Sequence, residues 1–310
     1  MKANYKNWGT RAADVLLYHL SKNTPSKVAE ALATECTYKA TAPWHPESVC
    51  VSPNSLLRCG LFRVAQTRAT RSHLHRHRFP LQGSRGGYVE YTGAELRQSD
   101  GDVFMMLLQV EQDTPGIAVV RLRKFAKQLG WGTSNVSVSK LEDCIVRMSA
   151  TNLEVNSNAM VGASMMAGKV AFSLIHGYRQ EEPGVWLVYL DSRLRGLKNN
   201  DYTRVQNDHL RQLPSGAVFA SWLLKFLATH REPKPIRLED LQTYCGSSSE
   251  SKEFRRLTIA AASTLQKIGF LEEYLVERGE LLVVRAAVAS AGDSESAADT
   301  PDAGANLVQR

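Results

Sequence analysis

Apolar residues between positions 202 and 285 follow the order helix, strand, short helix, long helix and hairpin. Gly246 ends the short helix, and Ser247 with Glu250 forms the pattern of a capping box that opens the long one. Gly279 lies in the predicted hairpin turn. This order is typical of a winged helix, a helix-turn-helix variant whose long helix enters the DNA major groove. The predicted elements are helices over 213–230, 238–245 and 247–268, and strands over 236–238, 270–276 and 281–285.

The long helix has two contrasting faces. At about 100° per residue, apolar positions from Phe254 to Ile268 fall on one arc and predict the core side. The opposite side holds cations with an isoleucine and a serine, which suit phosphates, guanine edges and thymine methyl groups. The alternative is an ordinary solvated helix with surface lysines and arginines. The predicted DNA-contacting residues are Lys252, Arg255, Arg256, Ile259, Ser263 and Lys267.

An upstream segment repeats this order more loosely. Pro53 suits the first turn of a helix that Ser52 can cap, and Ser139 with Glu142 forms a second capping box. The predicted elements are a helix from residue 53, strands over 88–91 and 117–122, helices over 100–112, 123–129 and 139–151, and a hairpin of 169–177 with 185–190.

Together the two segments predict an α+β protein with two tandem winged-helix domains. Residues 50–195 form the first domain, which we expect to provide self-association and phosphate contacts. Residues 196–285 form the second domain, the main DNA reader. We expect residues 1–49 to be a partly helical or flexible N-terminal region, and 286–310, which lack aromatic residues, to be a disordered tail.

The outer face of the first domain's long helix differs from that of the second. With Leu141 and Ile145 turned inward, its outer arc holds Asp143, Val146 and Ala150. An acidic residue there repels phosphate, whereas the two apolar residues offer a small protein-contact surface. We therefore predict self-association through Asp143, Val146 and Ala150. The alternative is that this face packs on the linker or on the N-terminal region.

Charge favours an anionic polymer as the partner. The 310 residues have a net charge of +7, although the C-terminal tail is acidic, and double-stranded DNA is the expected ligand. No apolar run is long enough to span a membrane, and no secretory signal follows Met1, which favours the cytoplasm. The five cysteines lack metal-type spacing and no phosphate-binding glycine loop occurs, so we expect no metal, no ATP and no other cofactor.

Histidines between residues 73 and 77 suggest a rival chemistry. The pattern His73-Leu74-His75 resembles the metal-binding core of rolling-circle nickases, in which Tyr88 or Tyr91 would be the nucleophile. However, the flanking residues are arginines, and no acidic residue occurs from 48 to 89. We therefore expect a mobile, phosphate-contacting loop and no enzyme; a metal site made by the histidines is a third alternative. The predicted phosphate contacts are Arg71, Arg76 and Arg78.

Short motifs occur in a fixed order between about residues 50 and 285. They are Pro53-Asn54, Leu57-Arg58, Leu61-Phe62, Tyr91-Thr92-Gly93-Ala94-Glu95-Leu96-Arg97, Leu129-Gly130-Trp131, Tyr202-Thr203, His230-Arg231-Glu232-Pro233 with Pro235, and Cys245-Gly246-Ser247. This ordered set resembles the TrfA-type plasmid replication initiators, which are relatives of the two-winged-helix initiators.

The resemblance implies a cytoplasmic protein that binds repeated origin sites, called iterons, and opens adjacent AT-rich DNA, which makes single-stranded AT-rich DNA a further expected ligand. It also implies recruitment of the host replication initiator and helicase, control of plasmid copy number, and a monomer–dimer equilibrium to which the first winged helix contributes. The alternative within DNA-binding proteins is a winged-helix transcriptional repressor without a replication role.

Overall fold

The computed structural model describes residues 49–65, 70–82, 86–112, 114, 116–157, 168–191, 194 and 202–286. The predictions for residues 1–48 and for the tail beyond 286 therefore lie outside the described residues. Helices and sheets are mixed, as the predicted α+β class requires. The four described cysteines, Cys50, Cys59, Cys144 and Cys245, are unpaired and buried.

The helices and strands have the following bounds. The helices are α1 (Asn54–Leu57), α2 (Gln98–Val110), α3 (Leu122–Gln128), α4 (Asn135–Ser149), α5 (Asn207–Gln212), α6 (Val218–Ala228), α7 (Leu238–Cys245) and α8 (Ser251–Lys267). The strands are β1 (Val49–Pro53), β2 (His73–Pro80), β3 (Tyr88–Ala94), β4 (Ile117–Arg121), β5 (Asn152–Ser157), β6 (Gly168–Phe172), β7 (Ile175–Glu182), β8 (Val185–Leu190), β9 (Tyr202–Gln206), β10 (Ile236–Arg237), β11 (Leu271–Glu277) and β12 (Glu280–Arg285).

The C-terminal elements α6, β10, α7, α8, β11 and β12, here called the second unit, follow the predicted order. Their strands form a sheet in the order β10-β12-β11. Two helix starts were predicted wrongly. The helix expected from residue 213 begins only at Val218, as α6, because Leu213 is extended and the chain turns before Val218; the separate helix α5 ends before Leu213. The capping box at Ser247 does not form, since α8 begins at Ser251 after the extended residue Glu250.

The elements α2, β4, α3, α4, β7 and β8, here called the first unit, repeat the same order, with a sheet in the order β4-β8-β7. The predicted capping box at Ser139 is also wrong. The helix α4 begins four residues earlier, where the Ser134 hydroxyl accepts a hydrogen bond from the Ser137 amide at 3.2 Å. The predicted strand over 169–177 is in fact two strands, of which only β7 pairs with β8.

The arginine- and histidine-rich segment is a strand and not the predicted loop. It forms β2, an edge strand of an additional sheet with the order β2-β3-β5-β6. The pairing of β2 with β3 is interrupted between Leu74 and His77, and Arg76 in this bulge has a φ of 47°. The run of cations has no two-residue alternation of apolar and polar side chains, so its sequence does not indicate a strand.

Strand pairing and buried polar contacts join the two units. The strand β1 pairs along its whole length with β9, from Val49 opposite Gln206 to Pro53 opposite Tyr202. Lys225 of α6 is buried and donates hydrogen bonds to Gln98 and Asp102 of α2. Contacts therefore cross the predicted domain boundary near residue 195, because residues 49–53 form a sheet with the strand that begins at Tyr202.

Candidate nucleic-acid interface

The turn between α7 and α8 sets the direction of the long helix of the second unit. The helix α7 ends at Gly246, whose φ of 66° lies in the left-handed region that favours glycine. The Gln242 side-chain amide donates to the Ser249 carbonyl at 2.6 Å and holds the following residues. The Phe254 amide then donates to the Glu250 carbonyl at 2.8 Å, which begins the hydrogen bonding of α8.

The inner face of α8 packs against α6 through aromatic and small side chains. Phe254 is 1% exposed, and its ring centroid lies 5.3 Å from that of Phe219. Thr258 is fully buried, and its hydroxyl is satisfied there because it donates to the Phe254 carbonyl at 2.9 Å. The predicted core positions Phe254, Ala261 and Leu265 are confirmed, whereas Leu257 and Ile268 are half-buried, and Thr258 and Ala262 are additional core residues.

The outer face of α8 brings the predicted DNA-contacting residues together. Lys252, Arg256 and Lys267 are exposed, and Ile259 and Ser263 are half-buried between them. The exposed Ala260, which the sequence reasoning missed, lies four residues beyond Arg256. A small side chain there leaves space for close approach of a ligand backbone. The arrangement is a cationic stripe along one side of a helix of 17 residues.

The guanidinium of Arg256 is oriented by a neighbouring carboxylate. Its Nε and Nη2 donate to the two carboxylate oxygens of Glu253 at 2.8 and 2.6 Å. These hydrogen bonds from Arg256 hold the pKa of Glu253 below its usual value. Arg255 lies on the flank of α8, and its Nη2 donates to the Val276 carbonyl of β11 at 3.2 Å. Two of the predicted residues therefore already bind protein groups, which a DNA phosphate or base must replace or supplement.

The tip of the C-terminal hairpin β11–β12 presents one further arginine. Arg278 and Gly279 both have positive φ values, 50° and 78°, as the type I′ turn requires at its two central positions. The Arg278 side chain is 90% exposed, and its Nε lies 3.7 Å from Glu277. Sequence reasoning identified this turn but missed its arginine as a candidate contact, although an Arg-Gly pair at a hairpin tip is visible in the sequence.

Two arginines of β2 share one carboxylate of β3. The Nε atoms of Arg76 and Arg78 donate to Glu90 at 2.8 and 2.9 Å, and the Arg78 guanidinium lies 4.4 Å from the centre of the Tyr88 ring. Hydrogen bonds from both arginines lower the pKa of Glu90. The two guanidiniums remain more than half exposed, so they are available to an anion.

Arg71, predicted to contact phosphate with Arg76 and Arg78, lies in a different environment. Its Nη1 donates to the carboxylate of the fully buried Asp100 at 2.8 Å and to the Glu95 carbonyl at 2.6 Å. A phosphate contact by Arg71 would have to compete with these contacts. Because Arg71 bridges two buried acceptors, it stabilises the fold. The role in phosphate contacts is better supported for Arg76 and Arg78.

Neither Tyr88 nor Tyr91 lies in a favourable environment for the nucleophile that the nickase alternative requires. Tyr91 is 1% exposed, its hydroxyl donates to the Ala94 carbonyl at 2.5 Å, and burial raises its pKa. Tyr88 lies under the Arg78 guanidinium. Within the described ranges, no group of three or more His, Cys, Asp or Glu side chains could hold a metal ion.

The corresponding face of α4 is exposed but differs in charge. Asp143, Val146 and Ala150, the predicted self-association residues, all lie on the solvent side, and Val146 is 43% exposed. Val136 at the start of α4 is 80% exposed. Lys140 is turned towards the Trp131 ring, with its Nζ 3.7 Å from the ring centre. This face is therefore mixed apolar and charged, without the cationic stripe of α8.

The fold and the surfaces described above define a mixed helix-and-sheet protein in which two units share the order helix, strand, helix, helix, hairpin. No helix in the described part of the chain combines the length and hydropathy needed to cross a membrane. A family model described as TrfA protein matches residues 19–284. The chain belongs to the TrfA family, which confirms the resemblance drawn from its ordered motifs.

One curated relative and one solved structure show how far the similarity extends. The plasmid replication initiator protein TrfA of Escherichia coli is 27% identical over 240 residues, which cover 74% of this chain and 60% of that protein. The chain thus spans less than two thirds of this relative. A crystal structure of domains 2 and 3 of RctB covers 76% of this chain and 99% of its own, with a TM-score of 0.52 and 14% identity. That likeness supports the fold alone.

Proposed function

We propose that this protein initiates plasmid replication by binding direct repeats at the origin. Membership of the TrfA family and similarity to a plasmid replication initiator support this function. The observation that supports DNA reading most directly is the outer face of α8, where Lys252, Arg256 and Lys267 are exposed on one side of a helix that follows a tight helix–helix turn.

In this proposal the first and second units are two winged helices in tandem. In each unit a short helix and a long helix precede a two-stranded hairpin that pairs with an earlier strand; in the first unit, β5 and β6 lie between α4 and this hairpin. The long helix α8 enters the major groove, where the Arg256 fork suits the O6 and N7 atoms of guanine. Arg278 at the hairpin tip then reaches the neighbouring backbone or minor groove, while Arg76 and Arg78 contact phosphates farther along the site.

The proposed function also involves partners besides the direct repeats. Bound copies would open adjacent AT-rich DNA, hold part of it as single strands, and recruit the host initiator and helicase in the cytoplasm. Self-association through Asp143, Val146 and Ala150 would link copy number to a monomer–dimer equilibrium. No catalytic step is included, because binding and DNA deformation suffice for this role.

A replication test with a defined origin separates the proposal from a purely repressive role. The protein should protect direct repeats from nuclease, make adjacent thymines reactive to permanganate, and support replication of a plasmid carrying that origin. The variant Lys252→Ala/Arg256→Ala should lose all three, whereas Asp208→Ala, an exposed acid on α5, should keep them. Protection without opening or replication would favour the transcriptional repressor and contradict the initiator role.

A further inference from the structure

The outer face of the C-terminal hairpin β11–β12 is apolar at its centre and acidic at its ends. Leu275 pairs with Leu282, and Val284 lies one row away; these side chains are 51%, 36% and 50% exposed. On the same face, Glu273 pairs with Val284 on one side of the leucine pair, and Glu277 pairs with Glu280 on the other side. An exposed aliphatic sheet face of this kind commonly marks a contact with another protein.

This hairpin face is unsuited to DNA. Its glutamates would repel phosphates. Of the cations beside it, Arg237, opposite Glu280, donates to Glu239 at 2.5 Å, and Arg278 lies in the turn, beyond the face. The side of the second unit that carries these glutamates must therefore point away from the phosphate backbone. It requires a partner with exposed apolar side chains and positive charge.

The first unit presents a surface with those properties. The segment 117–141 contains five cations and no acidic residue. Val119 of β4 is 43% exposed, and Arg121 on the same strand face is exposed, as are Lys124 and Lys127 of the following helix α3. In the described part of the chain, no ion pair engages these three cations. The strand β8 separates β4 from β7. On β7, Arg179 and Glu181 form an ion pair, and Glu182 lies across Val185 from Arg121.

The geometry of direct repeats determines which surfaces can meet. Copies bound to direct repeats all have the same orientation, so two neighbours must join two different surfaces, as in a head-to-tail assembly. The hairpin face and the β4–α3 surface belong to different units and have opposite charge. They are therefore a complementary pair for such a contact, which is strengthened because DNA holds the neighbours close together.

We propose that the outer face of the β11–β12 hairpin binds the β4–α3 surface of the next copy of this chain along a row of direct repeats. The inference rests on the proposed binding of direct repeats. The leucines and Val284 pack against Val119 and its neighbours, and the glutamates face Arg121 and Lys124. The contact makes binding to adjacent repeats cooperative, and its heterologous form allows a row of any length.

Charge reversal on DNA fragments with one or two repeats tests this contact. The parent protein should bind the second repeat at least about fivefold tighter than a single repeat, the lower end of common coupling between sites. Glu273→Lys/Glu277→Lys should remove this preference, and Arg121→Glu/Lys124→Glu should do the same. Combining all four substitutions in one chain should restore it. The matched control Asp208→Lys, which reverses an exposed acid on α5, should bind like the parent.

Each of the other outcomes has a definite meaning. Cooperativity that survives both reversals, or that the fourfold variant fails to restore, overturns the contact. A comparable loss on a single repeat in Arg121→Glu/Lys124→Glu also overturns it, because the β4–α3 surface then contacts DNA. Inserting about five base pairs, roughly half a helical turn, between the repeats should abolish the preference, and an unchanged preference contradicts the proposal. If the parent protein binds no single repeat, the proposed function itself fails.

Discussion

The two units share one order of helices and strands but differ in what stabilises them and in what they expose. In the second unit, Phe254 of α8 packs into an aromatic cluster with Phe219, Trp222 and Phe226. In the first unit, the fully buried Asp100 accepts hydrogen bonds from Arg71 and Arg147 and from the Arg97 amide. The common order therefore does not dictate a common core, and the outward faces diverge still further.

The difference in outward faces follows from a few positions on otherwise similar helices. Arg256 is the sixth residue of α8, and Lys140 is the sixth residue of α4. Arg256 projects with a carboxylate partner on its own helix, whereas Lys140 folds back over Trp131. The outer face of α8 therefore presents a guanidinium to solvent, whereas the outer face of α4 presents Val136 and Val146 without a cationic stripe.

The largest effect that tests this comparison is expected in the aromatic core of the second unit. Phe254→Ala should lower the free energy of unfolding by about 3–5 kcal/mol, because a fully buried ring is replaced by a cavity. Urea titration followed by circular dichroism measures the loss. The half-buried Leu257 on the same helix is the matched control, and Leu257→Ala should lose clearly less. Equal losses would mean that the inner face of α8 is rotated from the described position.

The buried charge of the first unit should be nearly as important. Asp100→Asn should reduce the free energy of unfolding by about 3 kcal/mol, because two guanidiniums lose their buried anionic partner. Glu90 also binds two arginines, but their guanidiniums are largely exposed, so Glu90→Gln should have a much smaller effect on stability. A larger loss for Glu90→Gln than for Asp100→Asn would contradict the assignment of Asp100 as the central charge of this core.

The arginines of β2 should affect DNA affinity without sequence preference. Arg76→Ala/Arg78→Ala should reduce the magnitude of the log–log dependence of affinity on salt by about 1.8, at about 0.9 per phosphate contact. Binding to cognate and random DNA, measured by fluorescence anisotropy at several salt concentrations, should weaken alike. Arg71→Ala is the comparison variant and should mainly lower stability through Asp100. A loss confined to one DNA sequence would show that β2 contacts bases.

The smallest expected effect is a pH dependence at the end of α6. Burial lowers the pKa of His230 from its usual 6.5, and its Nδ1 lies 3.0 Å from the Phe226 carbonyl. Because the folded state disfavours the charged imidazole, the stability from His230 is present above pH 6.5 and is lost as the pH falls below it. His230→Gln should reduce the fall in melting temperature between pH 7 and 5.5. An unchanged fall would assign the effect to His77 or His209, whose pKa values are also lowered by burial.

The sequence predicted the second unit better than the first, for identifiable reasons. Helix periodicity and Gly246 predicted the bounds of α7 and the C-terminal end of α8, since both act through local geometry. The Ser-x-x-Glu patterns at Ser247 and Ser139 were misleading, because extended backbone at Glu250 and an earlier cap at Ser134 start the helices instead. Capping patterns are short and compete with tertiary packing, so neighbouring positions can supply the start.

Contacts between distant segments could not be predicted from local sequence patterns. The pairing of β1 with β9 joins residues about 150 positions apart, and nothing in the residues around Val51 or Val205 specifies this partner. The strand β2 was not predicted, because its exposed cations leave no two-residue alternation of apolar and polar side chains. The outer stripe of α8 was predicted correctly in position, but the contacts of Arg255 with β11 and of Arg256 with Glu253 depend on rotamers that the sequence does not determine.

The central claim, that α8 and not α4 reads the DNA, is tested most directly by comparing Arg256→Ala with Lys140→Ala on one direct repeat. Affinity for the repeat and for all single-base variants of it should be measured for both proteins. We expect Arg256→Ala to bind about 5- to 150-fold more weakly and to lose preference at one base pair, while Lys140→Ala binds like the parent. If Arg256→Ala binds the repeat as tightly and as selectively as the parent, or if Lys140→Ala shows the same loss, the assignment of the reading helix is contradicted.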